Sequence, residues 1–200
     1  MKLLLTSAGL ANENIKQGFL KLLGKNPETC TALIIAYGQN PEENFYINKA
    51  KEEVERLGFM TIVLNMNDCP GISTLPDFDV IYVCGGNTFA ILKKTRELGL
   101  PEYIKKQVEM GSVYVGVSAG SIIAGPDIKI AGWGADGDIN EVGLTDTQGF
   151  KLTNISTYVH YDVERHFQEV EDFKKTVEYP VQAITNDQAI VIENGESAEI

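Results

Sequence analysis

Apolar residues along this 200-residue chain cluster in two ways. Short unbroken runs occur at Leu3–Thr6, Thr31–Tyr37, Thr61–Leu64, Val80–Cys84 and Ser112–Val115. Such runs predict buried strands. Between them, apolar positions recur with helical spacing. Asn12–Leu23 places Ile15, Phe19, Leu22 and Leu23 on one face. Pro41–Leu57 does the same with Phe45, Ala50, Val54 and Leu57, leaving Lys49, Lys51, Glu52, Glu53, Glu55 and Arg56 for solvent. Asn87–Glu97 and Pro101–Met110 complete the helices of this part. Strands alternating with amphipathic helices predict a parallel sheet covered on both faces, an α/β fold.

Beyond Gly125 the pattern changes. Gly132–Gly149 is rich in Gly and Asp and predicts a long loop with room for a hairpin. Loops of that length in compact domains are commonly functional. Asn154–His160 reads as a strand and Val163–Val177 as a polar amphipathic helix. Val181–Thr185 and Gln188–Glu193, split by Asn186-Asp187, read as a closing hairpin with a type I′-like turn. No repeat, low-complexity tract or linker interrupts the chain, so residues 1–200 are expected to form a single domain.

Composition narrows the function. The apolar share of 44% is ordinary for a globular protein. A net charge of −11 argues against nucleic acid or an anionic membrane as partner. Cys30, Cys69 and Cys84 are widely spaced and odd in number, which fits neither a disulfide framework nor a metal-ligand pair. No metal or cofactor is expected. The apolar stretch after Met1 is too short for a signal peptide or a membrane span, so a cytoplasmic location is expected.

Chemistry concentrates in Gly116-Val117-Ser118-Ala119-Gly120. This is G-x-S-x-G between a predicted strand and the small, apolar helix start Ala119–Ala124. A sharp strand-to-helix turn lifts a serine hydroxyl out of the sheet and presents helix N-terminal N–H groups to an oxyanion. The base must come from His160 or His166, the chain's two histidines. His160 ends a strand-like segment, whereas His166 lies in a charged helix beside Arg165. His160 is therefore the candidate base. A carboxylate should orient it. Asp127, Asp136, Asp138, Glu141, Asp146, Asp162 and Glu164 all remain open on these grounds.

A second glycine turn, Cys84-Gly85-Gly86-Asn87-Thr88, ends a strand and opens a helix. It reads either as a tight turn with Asn87 as helix N-cap, or as a place where backbone approaches substrate and donates to the oxyanion. It lacks the spacing and lysine of a nucleotide-binding loop. Cys84 reads as a core thiol.

Together, Val83-Cys84-Gly85-Gly86-Asn87-Thr88-Phe89 and Tyr114-Val115-Gly116-Val117-Ser118-Ala119-Gly120 closely resemble the peptidase E (aspartyl dipeptidase) family, which includes the cyanophycinase-like serine peptidases. The resemblance extends to Asp146-Thr147-Gln148-Gly149-Phe150, His160 and Asn186-Asp187-Gln188. It implies a flavodoxin-like three-layer sandwich of the class I glutamine amidotransferase type. Ser118 matches the family nucleophile and His160 the base. Glu141 matches the acidic member, with Asp138 second. Gly86 and Ala119 match the oxyanion-hole amides, with Gly85 and Asn87 against the substrate. The resemblance further implies hydrolysis of dipeptides or short peptides without a cofactor, and a homodimer. It does not carry aspartate specificity. Of the family's substrate-holding arginine region only Arg165, Lys174 and Lys175 offer positive charge here, and none matches cleanly. A general esterase and a non-catalytic binding protein of the same fold are the alternative readings.

Overall fold

The computed structural model describes residues 1–38, 40–69 and 75–200. Five strands, β1 (Lys2–Thr6), β2 (Thr31–Ala36), β3 (Met60–Asn65), β4 (Val80–Val83) and β5 (Val113–Val117), run parallel. Between them come α1 (Glu13–Leu23), α2 (Pro41–Glu55), α3 (Thr88–Glu97) and α4 (Leu100–Glu109). Then follow α5 (Ala119–Ile123), β6 (Ser156–Tyr158), α6 (Val163–Lys174), β7 (Val181–Ala183), β8 (Ala189–Glu193) and β9 (Glu196–Glu199). The main sheet has the order β3-β2-β4-β5-β1-β8-β9. This is the expected flavodoxin-like α/β architecture.

Strand pleating divides the core in two. Leu3, Leu5, Leu33, Ile35, Ile81, Val83 and Tyr114 face one way and pack against α3, α4 and α5 through Ile91, Ile104 and Ile122. Leu4, Ala32, Ile34, Val80, Tyr82 and Val115 face the other way and pack against α1 and α2 through Ile15, Phe19 and Val54. Helix boundaries follow local chemistry. Asn12 caps α1 by accepting the Ile15 N–H, and Gly24 closes it in the left-handed region.

The last third departs from expectation. Val181–Ala183 does not form a hairpin with the following strand. β7 pairs in parallel with β6 as a separate two-stranded sheet, while β8 joins the main sheet antiparallel to β1. The hairpin lies one turn later, between β8 and β9. Its turn residues Asn194 and Gly195 have φ of 53° and 88°. A type I′ turn needs positive φ at both positions, and Asn-Gly meets that need better than Asn-Asp. Asn186-Asp187 instead links the two sheets. No strand pair forms within 132–149 among the described residues. That stretch follows a short 3-10 turn, and Gln148 makes an isolated bridge to Asp127. No helix among the described residues is long and apolar enough to cross a membrane.

Candidate active site

β4 and β5 are hydrogen-bonded neighbours, so the turns that follow them open at the same sheet edge. Ser118 occupies the turn after β5 with φ 51° and ψ −113°. A non-glycine residue held there costs about 1–3 kcal/mol, which its surroundings must offset. Five hydrogen bonds and one close packing contact do so. The Ser118 N–H donates to the Thr6 carbonyl at 2.9 Å. Ser121 Oγ accepts the Thr6 N–H at 2.9 Å and lies 2.7 Å from the Thr6 carbonyl and 2.8 Å from that of Gly116. Tyr114 donates its hydroxyl to the Gly120 carbonyl at 2.7 Å. Gly120 itself lies so close to the Val83 carbonyl that a β-carbon would overlap it.

The strained turn brings Ser118 Oγ to 3.0 Å from His160 Nε2. His160 follows β6 and also has positive φ, 55°. Its backbone N–H donates to Ser7 Oγ, and Ser7 in turn donates to the Ile184 carbonyl. The histidine is thus tied to the end of β1 and to the chain leaving β7. On its other side, Nδ1 lies 2.7 Å from Asn186 Oδ1. A carbonyl oxygen can only accept, so the ring proton belongs on Nδ1 and Nε2 is left to accept from Ser118.

Glu141 is not the residue at Nδ1. It is exposed, and its side chain makes no hydrogen bond to His160 among the described residues. Asp138, the second candidate, spends one oxygen on the Thr88 N–H at 2.8 Å. The reason is the path of the loop. Asn87 donates to the Ile139 carbonyl, Lys93 to that of Val142, and Arg96 to those of Asp146 and Gln148. These bonds tether residues 139–148 to Asn87 and α3. Asn87 also caps α3 by accepting the Ala90 N–H, so both ends of its amide are engaged within the protein.

Gly86, with φ 135°, and Ala119 at the start of α5 lie beside the Ser118 hydroxyl's turn. Neither of their N–H groups donates to a protein acceptor among the described residues. Gly85 packs against Ser118, where an added β-carbon would stand 3.0 Å from Ser118 Cβ. Two cavities meet at Ser118, Gly86 and His160. One, of about 240 Å³, runs toward Trp133, Asp136 and Arg165. The other, of about 510 Å³, runs toward Tyr46, Glu53 and Tyr82. Among the described residues no group of three His, Cys, Asp or Glu side chains is arranged to hold a metal ion.

A hydroxyl within hydrogen-bond reach of an imidazole, beside unspent N–H groups, is an arrangement that can attack a carbonyl. Relatives supply the class of reaction. The profile of peptidase family S51 matches residues 3–200. The chain belongs to peptidase family S51. An uncharacterised peptidase of Listeria monocytogenes is 32% identical over 162 residues, covering 78% of each chain. Peptidase E of Citrobacter koseri is 38% identical over 79 residues, 40% of this chain and 31% of that protein. A crystal structure of a candidate peptidase E protein from L. monocytogenes superposes with a TM-score of 0.77 at 27% identity, covering 100% and 97% of the two chains. A peptidase from an acI-B1 actinobacterium shares the fold at a TM-score of 0.66 and 17% identity, covering 100% and 86%. As a member of family S51, the protein is a peptidase.

The site also contains residues that the sequence did not single out. Thr6, Ser7 and Ser121 were unremarkable small polar residues at the ends of apolar runs. Asn186 was visible as a turn residue within the Asn186-Asp187-Gln188 stretch of the family resemblance, but not as a partner of His160.

Proposed function

We propose that this S51 peptidase is a serine peptidase hydrolysing dipeptides or short peptides, with Ser118 as nucleophile and His160 as base. The observation that carries the reading is the 3.0 Å contact between Ser118 Oγ and His160 Nε2 at a backbone conformation that only a structured turn would hold. His160 Nε2 takes the hydroxyl proton as Oγ attacks the scissile carbonyl. The Gly86 and Ala119 N–H groups receive the oxyanion. The imidazolium then protonates the leaving amine, and water activated by the same nitrogen hydrolyses the acyl-enzyme. Asn186 acts as a positioning residue that holds the productive tautomer. It supplies no negative charge to the imidazolium, which distinguishes it from a triad carboxylate.

The two cavities on either side of Ser118 suit side chains on both sides of a scissile bond. Residues 1–200 are proposed to act as one catalytic unit. Cys30 and Cys84 are buried thiols, as suits a reducing cytoplasm. The test is turnover of a dipeptide and aminoacyl-amide panel by wild type and Ser118→Ala. Loss of ~10³-fold or more in the variant is expected. Turnover that survives the substitution, or no turnover by wild type on any peptide, would overturn the reading in favour of another hydrolase or a binding protein.

A further inference from the structure

The smaller cavity contains a charge arrangement that bears on which side chain it admits. Arg165 on α6 is a cation on its wall, and its guanidinium is already bonded to Asp136 Oδ2 at 2.5 Å. His166 Nε2 lies 3.2 Å from the same oxygen. Its Nδ1 accepts the Asp162 N–H at 3.0 Å, so the ring proton sits on Nε2 and points to Asp136. Both donors therefore converge on one oxygen of Asp136, and Oδ1 has no protein partner among the described residues. Asp138, also on the wall, uses Oδ2 for the Thr88 N–H and leaves its own Oδ1 without one. Thr157 is among the residues lining the same cavity, and its buried hydroxyl has no partner among the described residues.

We infer that this cavity takes a substrate side chain ending in a carboxamide, and that Asp136 sets it against the isosteric acid by neutralising Arg165. The inference rests on the serine peptidase reading of the same site. A carboxamide can donate to the open carboxylate oxygens and accept from the remaining guanidinium N–H groups. A carboxylate would meet two carboxylates, with the Arg165 guanidinium on the wall already paired. A site built for a donor rejects an analogue lacking it because its own acceptors are left unpaired.

The experiment compares kcat/KM for matched peptides carrying Asn against Asp and Gln against Glu, placed in turn on each side of the scissile bond. The expected result is an amide preference of at least ~tenfold at one of the two positions. Asp136→Asn should abolish or reverse that preference by releasing Arg165, and Asp136→Asn with Arg165→Gln should lose the gained acid turnover. Equal or better use of the acids by wild type overturns the inference, as does a ratio that Asp136→Asn does not move. Binding of the same intact peptides to Ser118→Ala, followed by calorimetry, separates the two readings. Amide-selective binding without wild-type turnover would overturn the peptidase reading and support the pocket. Unselective binding, or none, would overturn the pocket assignment whatever the turnover.

Discussion

Asn186 Oδ1 stands 2.7 Å from His160 Nδ1, so a neutral amide orients the histidine that faces Ser118. Asn186→Ala removes the side-chain acceptor at Nδ1 and lets the ring adopt the other tautomer. A fall in kcat of ~10–100-fold is expected, with KM nearly unchanged. Asn186→Asp places a negative charge there and favours the imidazolium. In its proposed role as base His160 works in the neutral form, so the acidic limb of the rate profile should move to higher pH. Profiles of both variants check this, and an unmoved limb with Asp would argue that residue 186 does not act on His160.

Gly120 is required by space rather than by backbone freedom. Gly120→Ala would drive a methyl group into the Val83 carbonyl oxygen, which is part of β4 and cannot yield cheaply. Overpacking of this kind costs about 1–3 kcal/mol, which lowers Tm by roughly 2–12 °C in a chain of this size. Residual activity should fall as well, because the shift acts on the turn that sets Ser118. Scanning calorimetry and a peptide-turnover assay of the variant beside wild type measure the two consequences, and an unchanged Tm would contradict the packing described for the turn.

Cys84 adjoins the Gly85-Gly86 turn but is not a nucleophile. Burial pushes its thiol up to about 12, and the Glu53 carboxylate adds to the effect. The thiol therefore stays protonated across the working pH range, and it is the thiolate that reacts. Iodoacetamide at pH 8 should leave Cys84 unmodified in the folded protein and alkylate it in urea, as read by peptide mass spectrometry. Cys84→Ser should retain most of the peptidase activity.

Asp79 joins the turn before β4 to the start of β2. Partial burial works to raise its carboxyl. The hydrogen bond from Lys25, the Thr31 N–H and the Lys25 charge outweigh that and hold it below the usual carboxylate range. Its folded value is thus lower than its unfolded one. The contribution to stability is present above the unfolded value of about 4 and is lost as pH falls through the folded value. Asp79→Asn should cost on the order of 1 kcal/mol at pH 7 and progressively less in acid. Urea titrations at pH 7 and pH 3 test it. A difference that is the same at both would contradict the assignment.

Legibility from sequence followed the range of the interactions involved. The core strands could be placed because Leu33-Ile34-Ile35 or Val80-Ile81-Tyr82-Val83 can be buried on both sides only inside a covered parallel sheet. The Ser118 turn could be placed because its glycines and its strand–helix context are neighbours in the chain. The closing hairpin was misplaced because Asn186-Asp187 and Asn194-Gly195 are both turn-like, and the pairing depends on which strand β1 accepts. The loop acids could not be sorted by charge or spacing. Their positions depend on Asn87, the N-cap of α3, and on Lys93 and Arg96 within it, about fifty residues upstream.

The sequence by itself determined the α/β layers, the location of the candidate site at the ends of β4 and β5, and the choice of Ser118 and His160, which the structure places 3.0 Å apart. Those features come from hydrophobic period and from glycine turns, which act over a few residues. Only the tertiary structure decided that Asn186 rather than Glu141 meets His160 Nδ1, and that Arg165 is paired with Asp136. Both are contacts between side chains on separate segments. Such contacts are settled by how the loops are tethered to the sheet, and no local pattern records that.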